Sequence, residues 1–121
     1  MTMLQASCHC GRIRLEVPGT PEYLVDCNCS ICRRYGALWA FYPLAQARIE
    51  GQEEHAEGYV WGERTISTFH CRHCGTVTHW LPLAPKPDAK FALNARTLEP
   101  AAIAGLRVRH FDGAHTWAYV D

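Results

Sequence analysis

Seven cysteines stand in three tight clusters and nowhere else in this 121-residue chain: Cys8-His9-Cys10, Cys27-Asn28-Cys29-Ser30-Ile31-Cys32 and Cys71-Arg72-His73-Cys74. Two cysteines one or two residues apart can turn both sulfurs toward one tetrahedral cation. Such close pairs are poorly placed to bond to each other, because a disulfide needs Cα atoms at least about 4.4 Å apart and a particular torsion. The count divides as four plus three. Four thiolates close a zinc site, and three leave one position for a ligand that is not protein. The arithmetic predicts two zincs per chain, one for structure and one for chemistry.

The rest of the composition is that of a globular protein. Hydrophobic residues make up 48% of the chain and charged residues 20%, which argues against disorder. Residues 1–121 read as one domain, long enough to bury roughly two-thirds of its unfolded surface. The formal net charge is +0. Proteins that coat nucleic acid or an anionic membrane carry a basic excess, so neither is expected as a partner. Between Met1 and Val17 no basic segment precedes an apolar run, so no secretory signal is read. The longest apolar stretch, Ala37 to Ala45, is broken by Pro43 and is too short to span a bilayer. The expectation is a cytoplasmic protein, where thiols stay reduced and cysteine clusters read as metal sites before disulfides. Nothing in the sequence sets an oligomeric state.

Most of the chain reads as short strands. Ile13, Leu15 and Val17 alternate with Arg14 and Glu16, the period-two pattern of a half-buried strand, and Pro18-Gly19-Thr20-Pro21 ends it. Further strands are expected at Tyr23 to Asp26, Leu38 to Tyr42, Ala47 to Glu50, Glu57 to Trp61, Thr65 to His70 and Thr76 to Leu81. Three more are expected at Lys90 to Asn94, Leu106 to Phe111 and Thr116 to Val120. Helical signal is thin: one turn over Ile31 to Tyr35, and a short helix over Glu99 to Gly105 opened by Pro100. Gly51 to Gly58 and Ala84 to Asp88 read as exposed loops. The pattern predicts a mainly β fold.

A weak internal echo links the first and last clusters. His9-Cys10-Gly11 followed by Ile13 resembles His73-Cys74-Gly75 followed by Val77. Glycine suits the place after the last ligand, where a chain folding back around a metal often needs positive φ. The two knuckles read as partners clamping one ion, which assigns Cys8, Cys10, Cys71 and Cys74 to a closed zinc site. The alternative for Cys71 and Cys74, a redox pair, wants a helix start within a βαβ pattern, and that pattern is missing there.

Cys27, Cys29 and Cys32 remain. One reading makes them a second structural zinc site completed by His9, His70, His73 or His79. An iron–sulfur centre is another, although the single-residue gap between Cys27 and Cys29 matches neither usual ferredoxin spacing. Three thiolates donate heavily, so a zinc they hold is a poor Lewis acid and a poor activator of water. It is better suited to a soft incoming ligand, naturally a substrate thiolate. Arg33 and Arg34 follow at once. They could offset the negative charge of such a centre or take a substrate carboxylate through a bidentate pair, and they could equally be solvent-facing residues on a turn. Arg12 and Arg72 flank the other site as charge balance. Tyr35, Trp39, Phe41 and Tyr42 could wall a pocket, although aromatic residues on strands are more often core. None of the seven histidines is singled out as a general base.

At these residues the chain resembles the glutathione-dependent formaldehyde-activating enzyme family, the GFA domain. The matching elements are Ser7-Cys8-His9-Cys10-Gly11, Cys27-Asn28-Cys29-Ser30-Ile31-Cys32-Arg33-Arg34 and Phe69-His70-Cys71-Arg72-His73-Cys74-Gly75-Thr76. His70 is a small departure, since the family often has Phe-Cys directly before the last pair. The resemblance implies an Mss4-like β fold of short antiparallel strands pinned by two zincs. It places the structural ion on Cys8, Cys10, Cys71 and Cys74 and the substrate-side ion on Cys27, Cys29 and Cys32. It also implies a carbon–sulfur lyase activity, the interconversion of glutathione plus formaldehyde with S-(hydroxymethyl)glutathione. The substrate carboxylates that Arg33 and Arg34 could take would then be those of glutathione.

Two other functions compete with a zinc enzyme acting on a small thiol. A non-catalytic Mss4-like zinc module would bind a thiol or a protein partner. Methionine sulfoxide reduction would need a free nucleophilic cysteine outside the clusters, and none exists in the chain.

Overall fold

The computed structural model describes residues 2–121, and its strands are short and closely spaced. The first five are β1 Met3–Ser7, β2 Arg14–Pro18, β3 Leu24–Cys27, β4 Trp39–Pro43 and β5 Arg48–Glu50. They are followed by β6 Ala56–Tyr59, β7 Ile66–Cys71, β8 Val77–Pro82, β9 Lys90–Asn94 and β10 Val108–Phe111. Three one-turn helices punctuate them: α1 Cys32–Tyr35, α2 Gln52–His55 and α3 Pro100–Ile103. The protein is mainly β, as its alternating sequence predicts. Among the described residues, no helix is long and apolar enough to cross a membrane.

The strands form two sheets. The smaller has the order β1-β2-β5 and is antiparallel. The larger runs β10-β3-β4-β9-β8-β7-β6, antiparallel except for β10, which pairs in parallel with β3. The main core includes Ile13, Leu15 and Val17 beside the small sheet together with Leu24, Ala40, Tyr42, Phe91 and Leu93 of the large one. Val25, Cys27, Trp39 and Ala92 belong to a second apolar cluster. Because side chains alternate along a strand, Leu24 and Val25, Trp39 and Ala40, and Phe91 and Ala92 are divided between the two faces of the large sheet. Cys8 and Cys71 belong to the main core, and Cys27 to the second. The two faces of one sheet therefore separate the cysteine groups.

Two expectations are corrected, and one strand was not foreseen. Gly51 to Gly58 is not a plain exposed loop, because it contains α2 and most of β6. The ring nitrogens of His79 are met by Thr78 Oγ1 at 2.7 Å and by Gln52 Oε1 at 2.6 Å, so α2 supplies a cap to a buried histidine. Thr116 to Val120 makes no strand. It follows a turn and joins the ladder only through a Phe111–Tyr119 bridge. β1 was not foreseen, and its inward-facing positions, Leu4 and Ala6, are too few and too small for a readable alternation.

His79 is fully buried, stacks on Phe69 at 5.0 Å, and has its pKa lowered to about 4 by burial. Protons therefore bind it more readily after unfolding, where an ordinary histidine titrates near 6.5. Its contribution is complete above pH 6.5 and is lost as the pH falls through that value toward about 4. A His79→Gln variant should lack this part of the acid sensitivity, a difference on the order of 3 kcal/mol over the window. Urea unfolding of both proteins between pH 7 and pH 4 checks it, and parallel stability curves would refute it.

Candidate metal centres

The first group is assembled from both ends of the cysteine-bearing region. Cys8 and Cys10 lie in the turn between β1 and β2, Cys71 ends β7, and Cys74 lies in the turn before β8. Their Sγ atoms lie within 4.8 Å of one another. Cys10 Sγ stands 3.7 Å from Cys8 Sγ and 3.6 Å from Cys71 Sγ. Sulfurs around a tetrahedral zinc with bonds of about 2.3 Å stand roughly 3.8 Å apart, so this donor set fits such an ion.

The predicted echo is present in the backbone. Cys8 N–H donates to Ile13 O and Gly11 N–H to Cys8 O, while Cys71 N–H donates to Thr76 O and Gly75 N–H to Cys71 O. Gly11 and Gly75 have φ of 83° and 80°, the left-handed conformation expected of a knuckle glycine. Further N–H groups point at the sulfurs, from Ile13 to Cys8 at 3.3 Å and from His73 to Cys71 at 3.4 Å. His9 N–H donates to Thr76 Oγ1, tying one knuckle to the other.

Electrostatics favour the thiolate at Cys10 and Cys74. Burial opposes ionisation of Cys74, but the Thr76 hydroxyl and N–H, the Cys10 N–H and the Cys71 thiol outweigh it and bring the thiol down to about 5. The Arg12 backbone and guanidinium lower Cys10. Burial raises Cys8, partly offset by the Ile13 N–H. Arg12 thus has the charge-balancing place expected of it. Arg72 turns instead toward Glu57, 3.9 Å away on the surface.

Cys27, Cys29 and Cys32 form the second group, also within 4.8 Å. Strand β3 delivers Cys27, and Cys32 opens α1, which closes at Gly36 with φ of 64°. Each sulfur has its own donor. Cys29 Sγ accepts from Cys32 N–H at 3.4 Å, and Cys32 Sγ accepts from Trp39 Nε1–H at 3.3 Å. The Cys27 thiol is lowered to about 6, first by a hydrogen bond from Cys32 and, against its burial, by the N–H groups of Cys29 and Gly113. Cys32 is pushed up, first by its bond to Cys27 and then by burial. Three thiols so close cannot all ionise unaided, and a cation would relieve the conflict.

No histidine joins this group among the described residues. Both nitrogens of His79 are engaged, and His73 lies 3.1 Å from His55 beside the first group. Arg33 and Arg34 are exposed and make no ion pair among the described residues. Arg33 N–H donates to Cys29 O at 3.1 Å. Arg34 donates to Ser30 O at 2.7 Å and borders a shallow groove of about 280 Å³ with Tyr35, Tyr59 and Trp61. Of the four aromatics expected as a wall, Trp39 holds Cys32 and Tyr35 lines the groove. Tyr42 is core, with its hydroxyl on Gly19 O, and Phe41 packs on Trp80.

Sequence reasoning missed the approach of the turn after β10 to this group. β10 pairs in parallel with β3 with Phe111 opposite Cys27, so both chains leave the sheet at the same end. Asn28 Nδ2–H donates to Asp112 Oδ1, and Ala114 N–H donates to Asn28 Oδ1, both at 3.0 Å. Asp112-Gly113 was legible as a turn signal, but nothing local says where that turn lands.

Comparison with known proteins is decisive at this point. The model of the glutathione-dependent formaldehyde-activating enzyme family matches residues 3–105, which include both cysteine groups. The chain belongs to this family. A crystal structure of a Rhodobacter sphaeroides protein is 30% identical and superposes with a TM-score of 0.70, covering 87% of this chain and 99% of that one. The mainly β architecture is therefore that of a solved relative, as the Mss4-like expectation requires. In this GFA-family chain, the turn against Cys27 lies beyond residue 105, outside the family match.

Proposed function

We propose that this protein is a zinc-dependent carbon–sulfur lyase acting in the cytoplasm on a small thiol. The reaction joins glutathione and formaldehyde to S-(hydroxymethyl)glutathione and reverses it. The observation that carries this reading is the unequal make-up of two cysteine groups on opposite faces of one sheet: four converging sulfurs on one, three on the other. Cys8, Cys10, Cys71 and Cys74 would hold a structural zinc. Cys27, Cys29 and Cys32 would hold the substrate-side zinc, whose chemistry is to keep an incoming thiol deprotonated at neutral pH.

The chain's own residues do the rest. Trp39 Nε1–H and the Cys32 N–H hold two of the sulfurs in place. Arg33, whose N–H is bonded to Cys29 O, and Arg34, at the groove, are suited to the two carboxylates of glutathione. In the forward direction the thiol sulfur bonds to the carbonyl carbon of formaldehyde. The π electrons move to oxygen, and oxygen takes the proton the thiol gives up. The reverse reaction breaks the same carbon–sulfur bond.

Exchange spectroscopy on the glutathione–formaldehyde adduct tests the reading against a fast spontaneous background. Wild type should accelerate interconversion, and Cys29→Ser should return it to the buffer rate with its circular dichroism intact. Wild type indistinguishable from buffer would favour a non-catalytic thiol-binding module instead.

A further inference from the structure

The C-terminal turn, Asp112 to Trp117, is anchored with more bonds than a surface turn needs. Asn28, between two of the three cysteines, both donates to Asp112 and accepts from Ala114. The other Asp112 carboxylate oxygen accepts from Thr116 N–H and Thr116 Oγ1–H, at 3.1 and 2.9 Å. Trp117 N–H donates to Asp112 O at 2.7 Å, and Val120 N–H ties the following segment to His110 O. These bonds hold Trp117 at a φ of 57°, in the left-handed region that large side chains seldom enter. The indole is held edge-on to Phe111, 5.1 Å between ring centres, and remains 72% exposed.

Gly113 shows what this arrangement faces. A single carbon added there would lie 2.9 Å from Cys27 Sγ, 3.1 Å from Cys29 Cβ and 3.5 Å from the Trp117 ring. Trp117 and the cysteine group therefore converge on one point, where no side chain at position 113 would fit. A large apolar ring, constrained and solvent-facing beside three thiols, is placed to cover the carbon chain of whatever sulfur arrives.

We propose that Trp117 is a specificity-determining residue of the three-cysteine site, packing on the carbon chain of the incoming thiol, with Asn28 as the positioning residue that locks its turn. The inference rests on the thiol-binding reading above. Trp117 lies outside the span of the family model.

The test uses zinc-loaded protein, a chelator and glutathione. The readout is the glutathione concentration that halves the release rate of the labile ion. Trp117→Ala should raise that concentration roughly tenfold, about what one lost aromatic contact is worth. Its release rate without glutathione should match wild type, whereas a merely structural role would speed release in both conditions. Trp117→Phe should recover most of the protection, and Asn28→Ala should behave like Trp117→Ala. As a second readout, 5-fluorotryptophan labels the four tryptophans, and the signal missing from Trp117→Phe identifies Trp117. That signal should shift on glutathione addition while that of Trp80 does not. Wild-type protection in Trp117→Ala, or an unmoved Trp117 signal at a protecting glutathione concentration, overturns the contact and leaves the thiol reading standing. Absence of glutathione protection in wild type overturns both.

Discussion

Cys8→Ser and Cys74→Ser are expected to give insoluble protein, or protein that unfolds without a cooperative transition. Cys8 is buried in the main core, and the four-sulfur group joins the β1–β2 turn to the β7–β8 turn. Outside the ion, the knuckles are joined by His9 N–H on Thr76 Oγ1 and by the Cys10 N–H at the Cys74 sulfur. A structural zinc contributes on the order of 10–16 kcal/mol in small domains. A chain of this size has a total stability of roughly 5–15 kcal/mol, so losing the ion removes most or all of it. Serine cannot substitute as a soft ligand, and it leaves three thiolates without a full tetrahedron. Metal analysis and thermal melting check the result. A folded, cooperative Cys74→Ser protein lacking zinc would show that this group does not hold the fold together.

The second large effect separates the two ions by lability. Gently purified protein should contain two zincs per chain and fall to one under mild chelation, with its β-sheet circular dichroism unchanged. An ion at the four-sulfur group would take every ligand from protein, and the two turns would have to part before it could leave. The other would be held by three sulfurs within the segment Cys27 to Cys32. A chelator can complete its coordination without prior unfolding. Glutathione should slow this loss, because its thiolate fills the tetrahedron. S-Methylglutathione keeps both carboxylates but cannot offer a thiolate, so it should protect far less. Equal protection by the two would shift the binding energy to Arg33 and Arg34 and remove the sulfur from the mechanism.

The cysteine groups were legible because their information is local. Spacing of one or two residues brings sulfurs together whatever the fold, and a glycine after a ligand marks a backbone that must turn back. The structure shows both features, with Gly11 and Gly75 at positive φ. Strand β2 followed from alternation, since one of its faces is buried, and β3 to β10 lie at or near the short runs expected between turn signals. β1 and α2 were not foreseen. Leu4 and Ala6 are a weak apolar pair, and Gln52 to His55 carries no apolar stripe, its place being set by the bond that Gln52 Oε1 accepts from buried His79.

By itself, then, the sequence determined the mainly β character and the grouping of seven cysteines into four and three. Both depend on short-range periodicity and spacing. Which face of the sheet each group occupies was decided by tertiary structure, because it depends on the register of β3 and β4 within seven paired strands. The parallel pairing of β10 with β3 was decided there too, and it carries Gly113 and Trp117 to the Cys27 group across more than eighty residues of chain. Contacts between segments so distant leave no periodic trace in either one, so only the folded chain reveals them.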